Sequence, residues 1–168
     1  MARIVVVKTF FSWLTRRDHL LANPASELEL PKVPQRLPRN VLTVDEAEKV
    51  LAQPDVNEPL GLRNRAILEV LYSTGMRRGE VIALKLTDID AVRGTLLVRE
   101  GKGKKDRMIP IGERALLWVD KYVEDSRPSL AAIAGDEDGT LFLSSWGGRL
   151  GDNTVTMLVR GYVNQAGV

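Results

Sequence analysis

Apolar side chains recur every three or four positions through several stretches of the chain, a spacing that predicts amphipathic helices. Residues 4–17 read as the end of a helix, with Phe10, Phe11, Trp13 and Leu14 as its apolar bulk. The β-branched residues at 4–7 weaken helix propensity at its start. Asn23-Pro24 stops it, because a residue before proline is pushed out of helical geometry. Residues 24–38 hold four prolines and no clear periodicity, the composition of an extended linker. Thr43-Val44-Asp45-Glu46 then spells a capping box, and Ala47, Val50 and Leu51 share one face of the helix it opens. A second helix is expected over residues 62–73, with Ile67, Val70 and Leu71 inward and Gly75 as its left-handed stop. A short third helix follows at 78–84.

Beyond residue 94 the pattern changes. Residues 95–100 and 107–111 read as two strands joined by the glycine-containing loop at 101–106. Residues 113–125 return to helical spacing, with Leu116, Val119, Tyr122 and Val123 inward. Residues 126–140 are expected to be loop, and Leu141-Phe142-Leu143 a short strand or buried turn. Asp152 or Asn153 caps a last helix carrying Val155, Leu158, Val159 and Tyr162. The fold class expected is mainly α with a small antiparallel β-hairpin, an α+β arrangement without the strand–helix alternation of a nucleotide-binding sheet.

Composition narrows the function classes. The chain has no cysteine, which excludes disulfides and thiolate metal sites, and its one histidine, His19, cannot build a zinc or iron site alone. No cofactor is expected. No window approaches the roughly 18 consecutive apolar residues of a membrane span, the start makes a poor signal peptide, and a cytoplasmic location is expected. Net charge is only +2, but it is unevenly spread. Residues 1–40 carry seven Lys/Arg against three acids, and residues 99–107 carry five against two. Residues 120–138 reverse this, with six acids against Lys121 and Arg127. Such segregation fits a protein with one face toward nucleic acid, or an unevenly charged solvated surface.

Two segments hold candidate chemistry. In Thr74-Gly75-Met76-Arg77-Arg78-Gly79-Glu80, glycines bracket two arginines at a helix junction, where a guanidinium fork can meet a phosphate. Glu80 lies one turn after Arg77 and is placed to orient it; a surface ion pair is the other reading of that spacing. The loop from Glu100 to Arg107 concentrates Lys102, Lys104, Lys105 and Arg107, which suits a phosphate backbone and equally suits a solubilising hairpin. It lacks the glycine spacing and the Lys-Ser/Thr of a nucleotide-binding P-loop.

Together the two segments resemble a known family. Residues 74–84 with Thr87-Asp88-Ile89-Asp90 look like the first arginine motif of the tyrosine recombinases, the phage integrases and their Xer group. Residues 101–111 look like the family's lysine hairpin. Pro31-Lys32, Leu37-Pro38 and Leu42-Thr43 resemble its interdomain linker, so the likeness runs over about residues 10–168. The resemblance implies a metal-free reaction in which a tyrosine attacks a DNA phosphate and arginines stabilise the charge that develops on its oxygens. It implies Arg77 as the first catalytic arginine, Glu80 as its support and Lys102 as the general acid. Lys104, Lys105, Arg107, Arg149 and Arg160 are the expected DNA-backbone contacts.

The family's His-x-x-Arg and nucleophilic tyrosine motifs are not found in the sequence. Tyr72, Tyr122 and Tyr162 all read as core residues. The expected organisation is a remnant last helix of a DNA-clamping domain at 1–24, a linker at 25–41, and the N-terminal two-thirds of a catalytic domain at 42–168. An exposed apolar patch around Trp13 or a frayed first segment is expected, as are uncovered inner faces on the helices at 113–125 and 153–166. The expected partners are double-stranded DNA and full-length recombinase protomers, with no membrane and no small-molecule substrate. A fragment inactive alone is the first functional reading. The alternative is a non-catalytic DNA-binding module that competes or pairs with a full-length integrase.

Overall fold

Helix α1, Ala2–Arg16, dominates the N-terminal part of the computed structural model, which describes residues 2–30, 41–99, 105–134 and 138–168. The β-branched residues do not delay its start, and it ends well before Asn23-Pro24. Asp18, with φ of 58°, stops it. The amides of Asp18 and His19 donate back to the carbonyls of Thr15 and Leu14 at 3.2 and 3.0 Å, closing a Schellman turn without glycine. Val6, Phe10 and Trp13 remain exposed on α1, as the apolar-patch expectation has it. Most of the expected linker, residues 31–40, lies outside the described residues. Contacts within the chain gather into two units, Met1–Val41 and Leu42–Val168.

In the second unit, the Thr43 capping box forms as its sequence requires. Thr43 Oγ1 accepts from the Glu46 amide at 3.3 Å, and Glu46 Oε2 accepts from the Thr43 amide at 2.7 Å. It opens α2, Val44–Leu51, which buries Ala47, Val50 and Leu51. Helix α3, Pro59–Thr74, starts on a proline, whose missing N–H costs nothing there. It is capped by Gly75 at φ 60°. Helix α4 spans Arg78–Ala83, and a three-residue 3-10 turn, Leu86–Asp88, leads into the sheet.

That sheet has three antiparallel strands in the order β1, Ile89–Asp90; β2, Thr95–Val98; and β3, Arg107–Pro110. The two-residue β1 has no pattern of its own in the sequence and exists by pairing Ile89 with Leu96. Register Leu96↔Ile109 and Val98↔Arg107 sets β2 against β3, and the buried side of β2 presents Leu96 and Val98 to the core.

Helix α5, Glu113–Asp125, packs along α3. Its inner face is covered, contrary to expectation: Ala115, Val119 and Tyr122 are buried against the α3 side chains and Phe142. The segment expected to be loop contains α6, Arg127–Ala134. Pro128 signals a break in the sequence, yet it sits in the first helical turn, where proline is tolerated. The Arg127 guanidinium, itself buried, donates to the carbonyls of Thr140 and Leu141 and holds the returning chain. Helix α7, Thr154–Ala166, follows Asn153 and packs against α2 and α4. It buries Val155 and leaves Leu158, Val159 and Tyr162 half-buried.

Candidate nucleic-acid interface

The turn between α3 and α4 is fixed from three sides. Gly75 takes the left-handed conformation, and Met76 is buried as a plug into the core. Thr74 Oγ1 accepts from the Met76 amide at 3.3 Å while donating to the Val70 carbonyl at 2.6 Å. Arg77 therefore leaves the turn in extended geometry as the residue before α4.

Glu80 then holds Arg77 twice. Its Oε2 accepts from the Arg77 amide at 2.8 Å and its Oε1 from Arg77 Nη1 at 3.0 Å. A third partner arrives from the sheet: Arg107, at the start of β3, donates Nη1 and Nη2 to the same carboxylate at 3.0 and 2.8 Å. The Glu80 side chain is 9% exposed, Arg107 37% and Arg77 61%. The Arg107 hydrogen bonds, ahead of those from Arg77, hold the Glu80 carboxyl well below the ordinary 4.5, at about 2. The carboxylate is thus permanently ionised at neutral pH. Arg77 is anchored through one terminal nitrogen and open to solvent beyond it.

The same hydrogen-bond pattern recurs eight residues on. Buried Asp88 accepts from the Lys85 amide at 2.9 Å and from Arg99 Nε, at the end of β2, at 2.7 Å. Both stems of the hairpin are thereby tied to the chain that follows Arg77. Neither Arg99 nor Arg107 can be found as a tether from local spacing, since the partners lie 11 and 27 residues away. The one available signal is a carboxylate three residues after a helix-start residue.

Of the other expected site residues, Lys102 and Lys104 lie outside the described residues. Lys105 is exposed beside β3, Arg149 is exposed where it bridges Leu143, and Arg160 is exposed on α7. Among the described residues no hydrogen bond or ion pair joins these three to the Arg77 cluster. Tyr122 is a core residue, its hydroxyl accepting from the Leu143 amide at 3.2 Å. Tyr162 is half-buried and accepts from Asn64 at 2.9 Å. Tyr72 departs from the core reading: it is exposed, with the Arg114 guanidinium 5.6 Å from its ring. It lines an open groove with Glu48, Glu69, Ser73 and Arg114, a set that excludes Arg77 and Glu80. Among the described residues no cluster of His, Asp or Glu has the makings of a metal site, and no helix is long and apolar enough to cross a membrane.

The family described as the phage integrase family matches residues 40–168. The chain belongs to that family. Tyrosine recombinase XerC 2 of Ralstonia nicotianae is 49% identical over 162 residues, covering 96% of this chain and 46% of that protein. The crystal structure of XerA recombinase superposes with a TM-score of 0.64 at 25% identity, covering 99% of this chain and 55% of that one. XerH site-specific recombinase, solved on its palindromic difH substrate after cleavage, gives 0.62 at 26% identity over 75% of this chain and 35% of that one. The chain spans about half the length of the curated relatives it matches.

Proposed function

We propose that this chain holds a backbone phosphate of duplex DNA on Arg77, as part of a phage-integrase-family recombinase that breaks and rejoins DNA through a phosphotyrosine link. The observation that carries this reading is the Glu80 carboxylate. It is nearly buried, ionised, and shared between Arg77 and Arg107. A guanidinium anchored in this way is preorganised for charge that grows on non-bridging oxygens in the transition state, where fixed donors are most effective.

In this reading Glu80 and Arg107 position Arg77, and Lys102 is the proton donor to the leaving oxygen. Lys104, Lys105, Arg149 and Arg160, together with the outer edge of Arg107, contact flanking phosphates without reading bases. Residues 1–24 are the last helix of a DNA-clamping domain, 25–41 its linker, and 42–168 the N-terminal two-thirds of the catalytic domain. The Tyr122 and Tyr162 hydroxyls are engaged in the scaffold and Tyr72 lines a groove that excludes Arg77 and Glu80, so in this reading the chain alone holds DNA without cutting it. Duplex DNA and full-length protomers are its partners, in the cytoplasm.

One observation favours the second reading, a regulatory module: the hydrophobic core closes within residues 62–155. A monodisperse chain that displaces a full-length integrase from its site would select it.

The main test is binding of the 168-residue chain to a labelled duplex across a salt series. Affinity should fall steeply with salt, and Arg77→Ala should flatten the slope by about 1. A flat response in the unaltered chain overturns the reading. A covalent protein–DNA adduct on a denaturing gel overturns the claim that it does not cut.

A further inference from the structure

Arg78, next to the proposed phosphate ligand, is held at the protein surface by uncharged acceptors. Its Nη1 donates to Thr156 Oγ1 at 3.0 Å and to Asn153 Oδ1 at 3.4 Å, both at the start of α7. Neither partner is charged. Arg65, Arg77, Arg93, Arg99, Arg107 and Arg114 each reach a carboxylate. Arg78 has no carboxylate partner among the described residues, and it is exposed. Asn153 immediately precedes α7 but makes no side-chain cap, its oxygen being turned to Arg78 instead. A cation beside the first turn of a helix is electrostatically misplaced for stability, since the helix dipole favours cations at the other end. Two elements thus fix a guanidinium whose charge the fold leaves uncompensated.

The donors left over are the informative ones. With Nη1 occupied, Nε and Nη2 make no bond within the described residues, and that edge is the fork that meets phosphate oxygens in pairs. Arg77 is tethered in the same way, through Nη1 alone. Arg107 differs, since Glu80 takes both of its Nη atoms. Consecutive residues 77 and 78 therefore each keep an open fork, while Arg107 serves as the brace.

We infer that Arg78 is a second phosphate ligand of this chain, binding the DNA backbone phosphate next to the one on Arg77, with Asn153 and Thr156 as its positioning residues. The inference rests on the DNA-holding reading above. Preorganisation is the physical gain: a fixed guanidinium loses less freedom on binding than a swinging one.

The test uses the intact 168-residue chain, a labelled duplex of arbitrary sequence and a salt series, with melting temperature recorded for each variant. Arg78→Ala should lower the slope of log affinity against log salt by about 1. Arg78→Lys should keep the slope but bind more weakly, because an ammonium has no fork. The double variant Asn153→Ala/Thr156→Val should also keep the slope and lose roughly two- to tenfold in affinity, because the charge remains but is no longer held. Three outcomes overturn the inference. If Arg77→Ala flattens the slope and Arg78→Ala does not, only the second ligand falls. If Arg78→Ala weakens binding with an unchanged slope and a lowered melting temperature, its role is structural. If the unaltered chain shows no salt-dependent binding, the inference falls together with the function it extends.

Discussion

Glu80 ties three segments through a single carboxylate: the turn after α3, the first turn of α4 and the start of β3. Its folded-state pKa, about 2, lies below the ordinary 4.5. Because the folded value is depressed, the stabilisation is fully present above pH 4.5 and is lost as pH falls through about 2. Each pKa unit corresponds to about 1.4 kcal/mol, and solvent around the part-exposed Arg107 screens some of it, leaving roughly 1–3 kcal/mol. Glu80→Gln should therefore lower stability at pH 7 by that amount and unfold with a shallower pH dependence between pH 5 and pH 2. Melting temperatures measured across that range check this, and parallel curves for the two proteins would refute it. The Arg77–Glu80 half of this cluster is readable from the sequence, because three residues on a helix make one turn. The Arg107 half is not, because it depends on the register of β2 and β3, which brings residue 107 beside residue 80.

Elements whose boundaries rest on local backbone chemistry are the legible ones. The Thr43 capping box, the Gly75 stop and the amphipathic 113–125 stretch each carry a signal within a few residues. Helix α6 and strand β1 do not, since one opens on a proline and the other exists by pairing with β2. Two glycines of α3 separate the physical reasons for being glycine. Gly75 has a left-handed φ of 60° and open space where a Cβ would go, so Gly75→Ala should incur only backbone strain, about 1 kcal/mol. Gly61 is helical, but an added Cβ would lie 1.8 Å from the Asp55 carbonyl oxygen. That oxygen belongs to the loop before α3, so Gly61→Ala must displace backbone and should cost more, roughly 2–3 kcal/mol. Urea midpoints for the two variants check the order, and a Gly61→Ala protein as stable as Gly75→Ala would contradict the close approach.

At the scale of the whole chain, burial is distributed very unequally. Every member of the main core cluster lies between Leu62 and Val155, and the apolar residues packed around it lie between Val56 and Val159. In the first unit Ala25 is the one buried hydrophobic residue among those described, while Val6, Phe10 and Trp13 on α1 are exposed. Burial of apolar area is the main favourable term in folding, and the main core cluster is drawn wholly from the second unit. A chain beginning at Leu42 retains the Thr43 capping box and the Glu80 cluster in full. It should melt cooperatively within a few degrees of the full chain, a change that corresponds to roughly 1 kcal/mol or less at this size. Seven of the 24 Lys and Arg residues lie within residues 1–40, which also carry three acids, so the shortened chain should bind duplex DNA with a smaller salt slope. Calorimetry and a salt titration on the same preparation separate the two effects. A large fall in melting temperature would mean that α1 covers core surface, and an unchanged slope would mean that its basic residues do not meet DNA.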